Sequence, residues 1–169
     1  MKYEFVGEAK IVAGIAFRQI KALISFGIVT KGELGGWIES EKNLAQVGDA
    51  WISGDAQISG DAWISGDAQI SGDARISGDA RIYGDAWNFS PLYIQGSFHS
   101  LTVSAHGQIT IGCQSHNAEF WLKHGSRVAK ENSFKAEQIK EYRLLVKLAI
   151  AWMKHHGVYA AKEEKAVSK

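Results

Sequence analysis

Ile52, Ile58, Ile64, Ile70, Ile76 and Ile82 stand six residues apart, and this spacing limits the fold more than any other feature of the chain. Gly54, Gly60, Gly66, Gly72, Gly78 and Gly84 keep the same period, as do the Asp residues from Asp49 to Asp85. A helix needs apolar residues at 3.6-residue spacing and would not survive a Gly in every second turn. Each unit reads Asp-Ala-x-Ile-Ser-Gly. Ala and Ile, two apart, fall on the same side of a short strand, and the residue between them points the other way. Ser-Gly-Asp is turn chemistry. A short strand and a corner, repeated, make one small unit stacked on copies of itself.

The repeat across residues 49–87 resembles the hexapeptide-repeat, left-handed parallel β-helix family. The resemblance implies a triangular coil of three hexapeptides with the aliphatic residue inside, so that residues 18 apart stack in columns. Trp51, Gln69 and Trp87 would then share one outer face, Gln57 and Arg75 a second, and Trp63 and Arg81 a third. Asp49, Asp67 and Asp85 would form a corner column. About two coils are regular, too thin a core to stand without caps at its ends or a partner chain.

The rest of the chain supplies candidates for those caps. Lys2–Phe5 and Arg18–Phe26 read as strands, and Gly27–Gly36 as turns. Ile38 and Leu44 continue the six-residue spacing, but Leu44 and Ile52 are eight apart, which implies an inserted corner. Arg18-Gln-Ile-Lys-Ala-Leu-Ile-Ser-Phe26, with Gly35-Gly-Trp-Ile-Glu39 and Asn43-Leu44, resembles the opening of bacterial and prophage β-helix proteins of no established activity. Beyond the repeats, Ile94-Gln-Gly96 keeps the phase. Leu101-Thr-Val103 and Ile109-Thr-Ile111 then flank Ala105-His-Gly107 as a hairpin. Residues 117–130 and 133–156 read as helices. In the second, Ile139, Tyr142, Val146, Ala149, Ile150 and Met153 line one stripe, widened by Leu145, Leu148 and Trp152. That stripe must pack on the chain itself or on another subunit. Ile109-Thr-Ile-Gly-Cys-Gln-Ser-His116, with Trp121, resembles a C-terminal module of phage and prophage repeat proteins that carries no assigned chemistry. The expected fold is therefore mainly β. A short left-handed parallel β-helix with an N-terminal β cap fills residues 1–97, and a hairpin and two C-terminal α-helices fill residues 98–169.

Charge is unevenly spread around a net of +1. Residues 49–85 hold seven Asp and two Arg, a net of −5, whereas residues 117–169 hold 11 Lys or Arg and six Glu, a net of +5. The complementary halves can meet each other or a neighbouring copy. Cys113 is the single cysteine, so no internal disulfide forms, which fits a reducing cytoplasm. No apolar run reaches membrane-spanning length and no signal-peptide core opens the chain.

Hexapeptide-repeat acyltransferases use a histidine as general base. The coils here contain none. His116 is the best candidate base, ahead of His99 and the hairpin-tip His106. Cys113 and His116, with His124 able to join across a helix, offer fewer than the four ligands of a closed zinc site and read as structural. His155 and His156 suit a helix end. The stacked Asp residues read as corner caps in preference to calcium ligands. No metal and no cofactor is expected. Glu119, Glu131, Glu137 and Glu141 interrupt the basic helices, which argues against nucleic acid. Alternation points Trp51, Trp63 and Trp87 outward beside Arg75 and Arg81, and exposed aromatics of this kind are enriched at interfaces.

These features lead to a non-catalytic, oligomeric binding protein of the bacterial cytoplasm, a trimer first of all. The resemblance to phage proteins implies an accessory factor that engages or blocks a host component, inhibition of host defence being one form of that. Two alternatives stay open: an acyltransferase of the hexapeptide class, and a binder of nucleotides or other small ligands at subunit interfaces.

Overall fold

Each hexapeptide contributes one two-residue strand, and the strands stack in parallel 18 residues apart. The structure is a computed structural model that describes residues 1–159. After β1 (Tyr3–Val12), β2 (Ile15–Ala22) and β3 (Leu34–Ile38) come seven rungs: β4 (Trp51–Ile52), β5 (Gln57–Ile58), β6 (Trp63–Ile64), β7 (Gln69–Ile70), β8 (Arg75–Ile76), β9 (Arg81–Ile82) and β10 (Ala86–Trp87). Trp51 pairs with Gln69, Gln57 with Arg75 and Trp63 with Arg81, so the chain returns to the same face every third rung. All six repeat Ile residues are buried, as are Ala50, Ala56, Ala62, Ala68, Ala74 and Ala80. The period-two alternation thus sends Ala and Ile into one continuous core.

The corners need glycine for two reasons. Gly66 has φ +67°, a conformation that L side chains rarely adopt. A Cβ there would also lie 2.1 Å from the Tyr83 carbonyl oxygen of the next coil.

The stack begins earlier than the regular repeat. Trp37 and Ile38 of β3 pair in parallel with Gln57 and Ile58, and Leu44 bridges to Ile64. These partners are 20 apart because two extra residues lie between Leu44 and Ile52. The interior therefore has three columns, Ile38–Ile58–Ile76, Leu44–Ile64–Ile82 and Ile52–Ile70–Trp87, each three layers deep.

Trp87 departs from expectation. It pairs with Ile70, not with Gln69, and is fully buried. The slip falls at the last corner. Ser65 N–H still donates to the Ile82 carbonyl, but Gln69 N–H donates to Asp85 and Ser71 N–H to Trp87, each one residue early. Asp85 takes the left-handed conformation there (φ +65°), a role that Gly fills at the preceding corners. Asp is one of the few residues that tolerates it. Asp85 has consequently left the corner column of Asp49 and Asp67.

The N-terminal segment is a cap. β1 and β2 form an antiparallel hairpin, in which β1 runs well past the expected Lys2–Phe5 and β2 ends at Ala22, short of the expected Phe26; β2 pairs antiparallel with β3. The second coil face thereby grows into a five-stranded sheet of order β1-β2-β3-β5-β8. Buried polar groups close the end of the stack. Lys2 Nζ donates to the Ala50 carbonyl at 2.8 Å, Tyr3 Oη to the Leu44 carbonyl at 2.9 Å, and Asn43 Nδ2 to the Gly60 and Ala62 carbonyls at 3.0 and 2.9 Å. A terminal rung has no next coil to satisfy its carbonyls, and these side chains replace it.

Burial pushes the Lys2 ammonium down from 10.5 to about 8, opposed by the nearby Asp49 carboxylate. Burial, helped by Glu41, pushes the Tyr3 hydroxyl up from 10.0 to about 12. The signs differ. Charged Lys2 is penalised in the fold below pH 8, and the penalty lifts as pH climbs towards 10.5, so stability rises across that window. The fold favours neutral Tyr3, and that contribution is lost as pH climbs from 10 to 12. Melting of the wild type should therefore gain a component between pH 8 and 10 that Lys2→Met lacks. Parallel melting curves of the two proteins against pH would refute the burial of this charge.

The second unit begins at Ile94, four residues before the expected boundary. After β11 (Tyr93–Gln95), the strands β12 (Ser100–Ala105), β13 (Gln108–Ile111) and β14 (Gln114–Asn117) form an antiparallel meander. Leu101 faces Ile111 and Val103 faces Ile109 across the expected hairpin, with Gly107 (φ +75°) at its tip. β14 was not anticipated: Gln114–Asn117 pairs with β13. Two helices follow, α1 (Ala118–Glu131) and α2 (Ala136–His155). Asn117 caps α1 by accepting the Phe120 N–H at 2.7 Å. α2 packs on α1 and β12. Tyr142, Val146, Ala149, Ile150 and Met153 are buried and Ile139 half-buried, so the module's own elements cover most of the stripe. Leu148, expected to widen it, points away and is exposed, as is Leu144.

Candidate functional site

An outward side chain on a coil face is displayed only if nothing folds over it, and the three faces differ in this respect. On the first face, Trp51 is 2% exposed. The loop after β2 brings Phe26 edge-on to its indole at 5.5 Å, and Lys2 Nζ lies 4.9 Å from the same Phe26 ring. Trp51 and Trp87 are therefore core residues and not the surface anchors that alternation suggested. In Trp51 the residue does point outward, but the N-terminal cap covers it. In Trp87 the register itself has moved.

On the second face, Gln57 is buried and Arg75 exposed. Both border a shallow groove of about 220 Å³ beside the tip of the β1–β2 hairpin.

The third face remains open. Trp63 is 38% exposed on β6. Its ladder partner Arg81 places the guanidinium carbon 6.0 Å from the indole centroid, and Tyr83 stands edge-on at 6.4 Å. The strand fixes the backbone beneath Trp63, and the two neighbours restrict its rotamer, so little entropy remains to be lost on binding. Tyr83 was missed in the sequence. The available signal was an aromatic residue in the position where the other repeats carry Ser.

The second unit contains a cavity of about 290 Å³, bordered by the end of β13, α1 and α2. Ile139, Tyr142 and Val146 of the expected stripe line it, whereas Ile150 and Met153 do not. His116, the candidate base, is also outside it. Its ring is stacked on Phe120 at 3.9 Å and meets the edge of Trp121. A base must reach a substrate proton beside a cleft, and this imidazole is held by aromatic packing instead. Cys113 is exposed, 3.8 Å from Gln114 Nε2. Among the described residues, no three His, Cys, Asp or Glu side chains converge to hold a metal. Among the corner carboxylates, Asp61 pairs with Lys42 at 2.7 Å and Asp79 accepts from the Tyr93 hydroxyl at 2.5 Å. At the end of α2, His156 N–H donates to the Trp152 carbonyl, as a cap would. No helix among the described residues is long and apolar enough to cross a membrane.

A family model described as YdcK Beta solenoid repeat matches residues 56–72, 68–84 and 74–87. No curated protein matches the chain. The matched segments lie within the stacked rungs, and over that stretch the chain is a β-solenoid repeat protein, mainly β, with two α-helices towards its C-terminus.

Proposed function

We propose that this chain is a non-catalytic binding protein, an oligomer of the bacterial cytoplasm, whose third coil face engages a protein component of the host. The observation that carries the reading is the Trp63–Arg81–Tyr83 cluster. It is a large aromatic held on a rigid strand, flanked by a cation and a phenol, and exposed among the described residues. Trp, Tyr and Arg are the residues most enriched among binding hot spots. The coil is left-handed in this reading, as the hexapeptide spacing and its likeness to left-handed β-helix proteins suggest. The resemblance of both ends of the chain to phage and prophage proteins supports a phage accessory role, with blocking of a host defence component as its form. The packed His116 gives no support to acyl transfer. The withdrawal of Trp51 and Trp87 from the surface leaves a nucleotide site at subunit interfaces with a single repeat tryptophan.

The test is affinity capture from infected or lysogenic cells with wild type and Trp63→Ala, followed by mass spectrometry of protein and small-molecule fractions. A host protein should be recovered with the wild type and lost with the variant, while the variant stays folded and loses only about 1–2 kcal/mol from its edge-on and cation–π contacts. Recovery of an acyl-CoA or a nucleotide in place of a protein would overturn the reading.

A further inference from the structure

The cavity of the second unit combines an apolar wall, interspersed with His99, Gln114, Ser126 and Asn132, with an unbalanced charge in its lining. Ile111, Trp121, Val128, Ile139 and Val146 supply apolar surface from three different elements. Trp121 donates its indole N–H to the Ile109 carbonyl at 2.7 Å, so that wall is fixed. Lys123 of α1 and Arg143 and Lys147 of α2 also line the space, and among the described residues no Asp or Glu does. Arg143 and Lys147 are four apart on one helix, an arrangement that like charges disfavour. Glu131 pairs with Arg127 at 3.1 Å, and Glu141 accepts from Ser97. Three cations beside an apolar wall, without a counter-charge among the described lining residues, complement a ligand that is anionic at one end and apolar at the other.

From this juxtaposition we infer that the cavity binds a small amphipathic carboxylate. The apolar body lies against Trp121, Val128 and Val146, and the carboxylate lies among Lys123, Arg143 and Lys147. Size narrows the class. At about 30 Å³ per water-sized group, 290 Å³ holds roughly ten non-hydrogen atoms. That suits an eight-carbon acid. Arg supplies the fork that fits a carboxylate, and the lysines add charge without fixed geometry. The exposed Leu122 sits beside Lys123 at the mouth, which gives an entering chain an apolar threshold. This site belongs to the second unit and the Trp63 face to the first, and neither reading depends on the other.

The experiment is calorimetric titration of the full-length protein with sodium octanoate and, under the same conditions, with octan-1-ol and octylamine. Octanoate should bind saturably, at least tenfold tighter than octanol, and octylamine should not bind. Arg143→Gln combined with Lys147→Gln should weaken octanoate at least tenfold and leave octanol unchanged. Val146→Phe, which fills the interior, should abolish binding of both, and Ile139→Phe provides the same test if the first variant melts early. The proposal is overturned if octanoate fails to bind, if it binds no tighter than octanol, or if the charge-neutralised protein binds it as well as wild type.

Discussion

Ile64→Asp is expected to abolish folding of the solenoid. Ile64 is the middle residue of its column, between Leu44 and Ile82, and has no exposed surface. Its neighbours across the core are the Ile and Ala residues of the other two faces. A carboxylate placed there finds no donor to pair with. The side chain must either carry an unpaired charge in an apolar interior or break the rung to reach water. The cost exceeds the 4–5 kcal/mol or so that marks the most disruptive single substitutions, in a unit whose core is only three layers deep. The expected result is insoluble protein or loss of the β signal in circular dichroism. A soluble variant with unchanged melting would place Ile64 outside the core and dismantle the three-column architecture.

Trp87→Ala is expected to cost about 3–5 kcal/mol, the range for deleting a large buried aromatic. Trp87 occupies the final inward position of the Ile52–Ile70 column. Its indole N–H donates to the Gly84 carbonyl at 3.0 Å, and Phe89 meets it edge-on at 5.7 Å. The indole closes the column with more surface than Ile would bring, and its removal exposes the end of the stack. Melting should fall by roughly 10 °C, whereas Trp63→Ala should lower it by much less. Equal melting of the two variants would mean that Trp87 faces outward, in register with Gln69, and that the last corner has no slip.

The hexapeptide core was legible because one residue type at one spacing carries it. Ile at every sixth position, with Gly and Asp between, leaves few alternatives, and the pairings of Gln57 with Arg75 and Trp63 with Arg81 followed from adding 18. The same arithmetic failed at Trp87, although the sequence held a clue. Asn88 stands where the period calls for Ile, so the apolar position had moved by one residue. Alternation also says which way Trp51 points but not what lies above it. The lid, Phe26 on a loop among turn residues, is a tertiary contact without a local signature. β14 was hidden because Gln114-Ser-His-Asn117 has no apolar alternation, and only its pairing with β13 makes it a strand. The stripe on α2 was visible, yet its split between packed core and cavity lining was not. The cavity is assembled by elements spread from Ile111 to Lys147, and no window of sequence contains it.

The most direct test of the account measures the affinity of the captured host protein for wild type and for Trp63→Ala by calorimetry at matched salt. If the third coil face is where the partner docks, loss of the indole should cost about 2–4 kcal/mol, typical of a binding hot spot, which is roughly 30-fold to 1000-fold in dissociation constant. Trp63→Phe should recover part of it. Equal affinity of wild type and Trp63→Ala, with both proteins folded, would contradict the claim that this face carries the function.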